Sequence, residues 1–348
     1  MAPTGEADLL QRLLPAVSRS FALSLRVLPR PLRAPFGLTY LLARAADTLA
    51  DTRALPPPER RRAIETVRGT LRGGDPSALG ALAGLVASDH SAGERELLTR
   101  LPEALALWRG LGLADRACSQ TVLFTLTQAM LDVLGRFPPE TEGRIGALET
   151  RADLDRYTYM NAGCVGEFWT DMVAAHRRRC AARWNVPLMR SRGVRFGHGL
   201  QLTNVLRDLP RDLRLGRCYL PRVDLAALGL APEDLLDPKA IARLRPLVQA
   251  LAGQALDHLR AGLLYTLAVP RSEARLRLAC AWPLLIGLAT LARLARSEDL
   301  LNPEVVIKVP RPEVRRQLAC STVLVWSNRG LGAYTRRLTA AAQGGTVA

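Results

Sequence analysis

Apolar residues recur every three to four positions along nearly the whole chain, which is the period of an α-helix. Alternating patterns typical of β-strands never last more than a few residues. The pattern predicts helices over residues 7–17, 35–51, 59–72, 93–113, 114–135, 150–180, 187–212, 232–236, 238–268, 271–296 and 311–340, with a frayed tail at 343–348. No internal repeat or linker-like stretch divides them. The sequence therefore predicts an all-α protein with a single domain over residues 1–348.

Two acidic stretches interrupt this apolar pattern more than 150 residues apart. Asp47 and Asp51 lie near the end of one predicted helix, and Asp208 and Asp212 lie near the end of another. Residues at i and i+4 share a helix face, so both carboxylates of a pair can reach one point. Mg²⁺ is a hard cation that binds one or two carboxylates together with substrate phosphates. The spacing predicts two metal and diphosphate sites across one cavity.

An arginine precedes each pair, Arg44 in the first stretch and Arg207 in the second. A guanidinium group can bind phosphate oxygens at two points, which suits a diphosphate. The alternative interpretation of either pair is a solvated helix face that binds nothing. The recurrence of the same residue types in both stretches favours the diphosphate interpretation.

The chain has a formal net charge of +16, and nearly all its cations are arginines. Such an excess favours anionic partners, among them diphosphates, acidic lipid head groups and nucleic acid. The sequence contains no nucleic-acid motif and no basic tail with interleaved aromatics, so no nucleic-acid partner is predicted. A basic helical nucleic-acid binder remains the alternative, and it requires strongly salt-dependent duplex binding.

The six cysteines lie far apart with no C-x-x-C motif, which predicts reduced thiols and no zinc site or disulfide framework. The four histidines are scattered, and each is predicted to be a surface or helix residue. No secretory signal is recognised at the N-terminus. The apolar stretch 278–292 contains Pro283 and is too short to span a bilayer. We expect a cytoplasmic protein, soluble or peripheral on the inner membrane face.

Gly163 and Gly166 lie inside the predicted helix 150–180. Each glycine costs about 1 kcal/mol relative to alanine in a helix interior. Something should therefore require the backbone to be closely approached at this point. A bulky ligand and a tightly crossing helix are both compatible with the sequence.

Five stretches, 18–21, 44–51, 157–166, 204–212 and 216–221, together resemble squalene/phytoene synthases, the head-to-head prenyl diphosphate synthases, in the order of that family. The resemblance implies the isoprenoid synthase fold, with helices around a central cavity. In such enzymes a diphosphate leaves an allylic carbon. Metal and arginine stabilise the departing anion, and an apolar cavity protects the carbocation.

The resemblance also implies roles for individual residues. The metal ligands, for Mg²⁺ or Mn²⁺, would be Asp47, Asp51, Asp208 and Asp212, assisted by Asn204. Substrate would contact Ser18, Arg19, Ser20, Phe21, Arg44, Gln201, Asn204 and Arg207. Tyr157 or Tyr159 would lie near the reacting carbons, and both are catalytic candidates together with Arg44 and Arg207.

Two departures from the family pattern affect these expectations. Ala50 and Thr52 leave the first stretch with only two acidic residues, fewer than the family often has. Pro210 lies between the aspartates of the second stretch, where a proline removes a backbone hydrogen bond and can kink the helix. The position of Asp212 is therefore less secure than that of Asp208.

The segments 280–283, 289–292 and 306–311 resemble a late helix and a flap of squalene synthases. This implies an NADPH site at Lys308 and Arg311, together with Asn204. The expected reaction joins two farnesyl diphosphates through presqualene diphosphate and reduces the product to squalene, in sterol or hopanoid biosynthesis. We expect no C-terminal membrane span, and peripheral membrane contact through arginines and an apolar portal.

Two other functions remain open at this level. A phytoene or dehydrosqualene synthase would catalyse the condensation without the reduction. A non-catalytic relative acting as an assembly factor or membrane scaffold would release no diphosphate. Oligomeric state and chain-length preference are not predicted.

Overall fold

The computed structural model describes residues 5–18, 21–85, 90–140 and 143–343, and nearly all of them are helical or lie in short connections. The prediction of an all-α protein is confirmed. The chain forms two compact units, Met1–Gly135 with Asp171–His176, and Arg136–Thr170 with Arg177–Ala348. A single domain around a central cavity stays a prediction.

The first unit contains most of the N-terminal helices. They are α1 (Gly5–Asp8), α2 (Leu14–Val17), α3 (Phe21–Val27), α4 (Arg30–Asp51), α5 (Pro57–Leu71), α6 (Ala92–Thr99), α7 (Leu101–Arg109) and α8 (Leu113–Arg136), with a π-helical turn at Leu9–Leu13 and a 3₁₀ helix at Pro76–Leu85. The predicted helix 93–113 is divided into α6 and α7, because Pro102 begins a new helix. Helix α4 begins five residues earlier than predicted, since Pro31 lies in its first turn, where a missing N–H is tolerated.

Helix α4 forms much of the core of this unit. Leu38, Leu41 and Leu49 are almost completely buried. Near its C-terminal end, Ala50 packs in a cluster with Ile64 of α5 and Leu131 of α8. The apolar side of α4 therefore faces inward, and the partly exposed Asp47 and exposed Asp51 lie on its other side.

The second unit contains the remaining elements. They are β1 (Gly146–Leu148), α9 (Arg151–Thr158), a π-helical turn (Tyr159–Gly163), α10 (Cys164–His176, shared with the first unit), α11 (Arg178–Ala181), α12 (Val186–Arg214), β2 (Arg217–Pro221), α13 (Arg222–Ala227), 3₁₀ helices (Pro232–Leu236, Pro238–Ala240 and Arg271–Glu273), α14 (Ile241–Ala268), α15 (Ala274–Leu294), α16 (Arg311–Leu324) and α17 (Asn328–Gln343). The predicted helix 311–340 is thus two helices.

Strands β1 and β2 form a short parallel pair in which Gly146 lies opposite Arg217. Leu213 to Pro221 was predicted to be a loop, and this prediction was wrong, because α12 extends to Arg214 and Arg217–Pro221 is a strand. Every residue of Cys218–Pro221 is buried, so the segment shows no polar alternation by which a strand could be recognised. Gly216, whose φ is +74°, makes the turn from α12 into β2.

A tight helix crossing accounts for the glycines Gly163 and Gly166, for which a bulky ligand and a crossing helix were both compatible with the sequence. A Cβ on Gly166 would lie 2.1 Å from the backbone of Gly193 on α12, and one on Gly197 would lie 2.2 Å from the carbonyl oxygen of Ala162. The Gly163 and Gly166 segment therefore packs directly against the backbone of α12. Gly193 and Gly197, which complete this contact, were not identified from the sequence.

Helix α15 is apolar and mostly buried, as predicted, and its bounds fall within the predicted helix 271–296. The apolar segment is longer than the stretch 278–292 that was predicted to be too short to span a bilayer. Among the described residues, the segment Arg271–Leu294 passes a membrane-span test of length and composition, and 72% of its most apolar window is buried in the protein. A buried core helix passes the same test, so this is weak evidence for a membrane span.

Candidate active site

The first acidic stretch occupies the last two turns of α4. Arg44 donates a hydrogen bond from Nη1 to Oδ2 of Asp47 at 2.5 Å, and Nη2 donates to Glu94 of α6. The side chain of Arg44 is 17% exposed, whereas that of Asp47 is 40% exposed. Arg44 is thus held between two carboxylates, with Asp47 accessible to a ligand.

Glu94 belongs to this site and was missed by the sequence analysis. It forms a capping box with Ser91 at the start of α6, a signal visible as S-x-x-E in the sequence. Burial raises the pKa of Glu94, but hydrogen bonds from Ser91 and the Arg44 guanidinium outweigh this and bring it to about 2. Burial alone would lower the pKa of Arg44, and the charges of Asp47 and Glu94 raise it overall.

The second acidic stretch lies on α12. Arg207 donates two hydrogen bonds to Asp208, from Nε to Oδ1 at 2.8 Å and from Nη2 to Oδ2 at 2.6 Å. The hydrogen bond to Asp208 is the largest contribution that raises the pKa of Arg207, ahead of the opposing effect of burial. The side chain of Arg207 is 35% exposed and that of Asp208 is 39% exposed. The pair is therefore accessible to a ligand.

Pro210 does not end the helix, contrary to the concern that it makes Asp212 insecure. Helix α12 continues four residues beyond it to Arg214. Leu209, Pro210 and Leu213 are buried, and their packing compensates for the backbone hydrogen bond that proline cannot donate. Asp212 remains on the same partly exposed face of the helix as Asp208.

Tyr157 lies beside this second stretch. Gln201 donates a hydrogen bond from Nε2 to the Tyr157 hydroxyl at 3.4 Å, and Asn204 donates to Oε1 of Gln201 at the same distance. The Tyr157 ring stacks on Tyr219 of β2, with centroids 4.3 Å apart. Burial, then the neighbouring Tyr219, and then the charge of Asp212 raise the pKa of Tyr157 well above its usual value. Its hydroxyl is therefore neutral at physiological pH.

Tyr159 lies in different surroundings. Its hydroxyl donates a hydrogen bond to Oε2 of Glu167 at 2.8 Å, and it lines a cavity of about 610 Å³ together with His198 and His258. Two residues along a helix correspond to a rotation of about 200°, so the two tyrosines face nearly opposite directions. The structure brings Tyr157, and not Tyr159, together with Gln201 and Asn204.

His198 of α12 and His258 of α14 stack with ring centroids 5.3 Å apart, a contact that the sequence analysis did not foresee. Burial, then His198 and Arg195, lower the pKa of His258 to about 4. Nδ1 of His198 lies 2.6 Å from the Thr158 hydroxyl. Both histidines are helix residues, as predicted, but they are separated by 60 positions in sequence and no local pattern signals their contact.

The N-terminal candidates are only partly described. Ser18 is buried, and its hydroxyl donates to the carbonyl oxygen of Leu14 at 2.6 Å. The ring of Phe21 stacks on Tyr40 of α4 at 5.6 Å. Arg19 and Ser20 lie outside the described residues. Their roles in substrate binding stay predictions.

The candidates for a dinucleotide site lie near the start of α16. Lys308 is exposed in the irregular segment that precedes this helix, and Arg311, also exposed, is its first residue. Asn204 is on α12. In the part of the chain that the structure describes, no hydrogen bond joins Asn204 to either cation. The NADPH site stays a prediction.

The carboxylates suit a metal that binds jointly with a phosphate ligand. Among the described residues, no group of three or more His, Cys, Asp and Glu side chains could hold a metal ion. Each aspartate pair instead offers two hard oxygen donors on one helix face. Mg²⁺ and Mn²⁺ prefer oxygen donors, and Mg²⁺ commonly completes its shell with substrate phosphates and water.

The arrangement of helices is shared with solved structures of squalene synthases. The structure of TcSQS in complex with the ligand E5700 superposes with a TM-score of 0.75 and 22% identity, covering 98% of each chain. The squalene synthase HpnC from Alicyclobacillus acidocaldarius superposes with a TM-score of 0.54 and 22% identity, covering 90% of this chain and 95% of its own. The protein therefore has the isoprenoid synthase fold, as predicted.

Sequence comparison identifies the family to which the chain belongs within this fold. A model of the squalene/phytoene synthase family matches residues 14–313, and the chain belongs to this family, whose members are prenyltransferase-type enzymes. A phytoene synthase from Thermus thermophilus is 36% identical over 116 residues, which are 33% of this chain and 37% of that protein. A squalene synthase from Eremothecium gossypii is 26% identical over 308 residues, 87% of this chain and 66% of that protein. The chain spans less than two thirds of the length of these curated relatives.

Proposed function

We propose that the protein is a squalene synthase, which joins two farnesyl diphosphates head to head and reduces the product to squalene. The observation that carries the proposal is the repeated site. On two helices, an aspartate pair lies beside an arginine that already binds one of the two carboxylates. The alignment of a squalene synthase over 87% of this chain supports this choice within the family.

In this proposal each aspartate pair and its arginine bind one diphosphate. Mg²⁺, when bound with the diphosphate, neutralises the charge that develops on the leaving group. Arg207 would exchange one of its two hydrogen bonds to Asp208 for a phosphate oxygen, which a guanidinium can do without losing its ion pair. Arg44 donates one hydrogen bond to Asp47 and one to Glu94, and it would exchange the bond to one of these carboxylates for a phosphate oxygen.

Tyr157 would lie next to the reacting carbons. Its neutral ring, stacked on Tyr219, presents an electron-rich face that attracts a cation. Departure of the first diphosphate from C1 of one substrate leaves an allylic cation, which the double bond of the second substrate attacks. Loss of one proton then closes the cyclopropane of presqualene diphosphate, with one diphosphate released.

The second half of the reaction would need a hydride. Loss of the second diphosphate gives another carbocation, and NADPH would supply the hydride that converts it to squalene, leaving NADP⁺. Lys308 and Arg311 are exposed cations close in sequence, and they would bind the phosphates of the dinucleotide. Two diphosphates are released for each squalene formed.

Product analysis tests this proposal. The purified protein is incubated with farnesyl diphosphate and Mg²⁺, with and without NADPH, and both hydrocarbon product and diphosphate release are measured. We expect presqualene diphosphate without NADPH and squalene with it. A product that contains a central triene and does not change with NADPH would reject the squalene synthase proposal, and the absence of any diphosphate release would reject an enzyme of this type altogether.

The second candidate function is a phytoene or dehydrosqualene synthase, which ends with proton loss in place of reduction. The 36% identity to the phytoene synthase of Thermus thermophilus over 116 residues favours it. The same incubation with geranylgeranyl diphosphate distinguishes a preference for the longer substrate.

A further inference from the structure

The C-terminal end of α16 exposes large apolar side chains. Val323 is 76% exposed, and Trp326, in the turn that follows the helix, is 59% exposed. Three exposed arginines lie nearby in sequence, Arg315 and Arg316 on the helix and Arg329 on α17. We call these five residues the α16 surface.

Helical spacing places the members of this surface that belong to α16 on one side of the helix. Arg316 and Val323 are seven residues apart and therefore share a face. Gln317 and Ser321, on the other side, are buried, and Ser321 accepts a hydrogen bond from Nε1 of Trp282 on α15 at 3.1 Å. The outward face of α16 therefore combines arginines with an exposed apolar residue at the C-terminal end of the helix.

The turn that carries Trp326 is firmly anchored. Val325 is 1% exposed, and Asn328 accepts a hydrogen bond from the buried Arg277 at 2.8 Å. Arg277 also donates to the carbonyl oxygen of Val269, at the end of α14. The residues on both sides of Trp326 are therefore fixed to the core, and its indole ring is held toward solvent by that anchoring.

The charge around this surface is strongly positive. Residues 302–343 contain seven cations, Lys308, Arg311, Arg315, Arg316, Arg329, Arg336 and Arg337, and two carboxylates, Glu304 and Glu313. Glu313 is already paired with Arg293 of α15. In the described residues, Arg315, Arg316 and Arg329 form no ion pair. An identical positive surface on a second copy would repel this one, so the charge favours an anionic partner.

We propose that the α16 surface docks on an anionic lipid bilayer. Val323 and Trp326 would enter the headgroup region, where an indole ring is favoured, and the three arginines would contact lipid phosphates. The apolar tip distinguishes this surface from one that binds nucleic acid by charge alone. Docking rests on residues outside the two acidic stretches, so it can hold or fail independently of the proposed reaction.

Vesicle sedimentation tests this proposal without any substrate. The full chain is mixed with vesicles of neutral lipid alone, or of neutral lipid with about one third anionic lipid. We expect binding to the anionic vesicles, weakened by salt. Replacing both Arg315 and Arg316 with Gln should lower partitioning by about five-fold per arginine, and Trp326→Ser by roughly ten-fold. Trp326→Phe should retain most of the binding and lose the quenching of tryptophan fluorescence by brominated lipid.

Matched changes elsewhere separate this surface from general effects. Leu113→Ser removes a side chain that is 77% exposed in the first unit, and Arg30→Gln with Arg62→Gln removes two exposed arginines there. All variants should unfold at the same temperature as the parent, and these controls should bind vesicles as the parent does. No binding to anionic vesicles, or equal binding by the α16 variants, would overturn the proposal. So would self-association or nucleic-acid binding that depends on Trp326 while vesicle binding does not.

Discussion

The two acidic stretches share a motif but differ in their surroundings. At the end of α4, Arg44 is bound by Asp47 and by Glu94 from another helix, and its side chain is 17% exposed. On α12, Arg207 binds Asp208 and is 35% exposed. The first arginine is thus largely enclosed by carboxylates, whereas the second is more open to a ligand.

The ratio of carboxylates to arginines also differs between the two stretches, and it is higher at the first. Arg44 binds two carboxylates, Asp47 and Glu94, and Asp51 lies one turn further along α4, whereas Asp208 and Asp212 are accompanied by Arg207 and the exposed Arg211. An excess of carboxylates favours a cation, and a balanced site with free arginine donors favours an anion. The comparison suggests that the first stretch depends more on metal and the second more on direct arginine contacts to phosphate.

The largest expected effect is that of removing one carboxylate from either pair. Asp47→Asn and Asp208→Asn should each lower kcat by about 1,000-fold, because a poorly held metal cannot neutralise the leaving diphosphate. The comparison predicts that excess Mg²⁺ restores less activity in Asp47→Asn than in Asp208→Asn. Activity is measured by diphosphate release over a Mg²⁺ titration.

Asp299→Asn, at an exposed position away from both stretches, serves as the control and should leave kcat unchanged. Circular dichroism should show the same helical signal in all three variants. Near-normal turnover in either site variant would mean that the corresponding pair does not hold the metal. Equal rescue by Mg²⁺ would remove the proposed difference between the two stretches.

The next effect concerns how the second region is held together. Gly166→Ala should lower the free energy of unfolding by about 3 kcal/mol, because the new methyl group would meet the Gly193 backbone at 2.1 Å and backbone atoms cannot move aside. Gly253→Ala is the matched control. It lies in α14 with nothing within 4 Å, and it should stabilise the protein by up to about 1 kcal/mol.

Urea unfolding of both variants tests this prediction. A Gly166→Ala protein as stable as the parent would show that the crossing of this segment with α12 is looser than the structure indicates. Since this crossing places Tyr157 beside α12, we also expect turnover to fall in Gly166→Ala, and to stay unchanged in Gly253→Ala.

The features that local patterns determine were predictable from the sequence. Helical periodicity gave the all-α fold, and the i, i+4 spacing placed each aspartate pair on one helix face. The resemblance to the squalene/phytoene synthases was confirmed by the family match over residues 14–313. The first two inferences needed only the positions of residues within a single helix, and the resemblance rests on the order of five short local motifs.

The features that depend on contacts between distant segments were not predictable. Glu94 approaches Arg44 across 50 residues, and His198 meets His258 across 60. The strand Arg217–Pro221 pairs with Gly146–Leu148 and carries no alternation of its own. The separation of Tyr157 from Tyr159 could have been inferred, because a helix turns about 200° over two residues.

Replacing each of the two tyrosines with phenylalanine tests which of them acts beside the second acidic stretch. Tyr157→Phe should lower kcat by about ten-fold, since it removes the hydroxyl that Gln201 contacts beside α12. Tyr159→Phe breaks only the hydrogen bond to Glu167 and should change kcat less than about two-fold. Steady-state assays of the two variants provide the measurement. The opposite order would assign the reacting carbons to the cavity beside His198.

The smallest effect tests the extra carboxylate that distinguishes the first region. The pKa of Glu94 is lowered to about 2 in the folded protein, so its interactions stabilise the fold fully above its usual pKa of 4.5. This stabilisation is lost as the pH falls from 4.5 toward 2. Glu94→Gln cannot titrate, and its unfolding free energy should therefore decrease less than that of the parent, by about 1 kcal/mol over the range from pH 5 to roughly pH 3.

Urea unfolding at several pH values measures the two slopes. Glu149→Gln, which changes a carboxylate that is 61% exposed in the second unit, is the control for a Glu-to-Gln change elsewhere in the chain. The Glu94→Gln variant also changes the charge around Arg44. It leaves Asp47 as the charged partner of Arg44, just as Asp208 is the partner of Arg207, so the first region comes to resemble the second. Its Mg²⁺ requirement should then approach that of the second site, because the local excess of carboxylates is reduced. Parallel slopes for Glu94→Gln and the parent would show that the interactions of Glu94 with Ser91 and Arg44 do not stabilise the fold, and an unchanged Mg²⁺ requirement would show that Glu94 does not set the difference between the two regions.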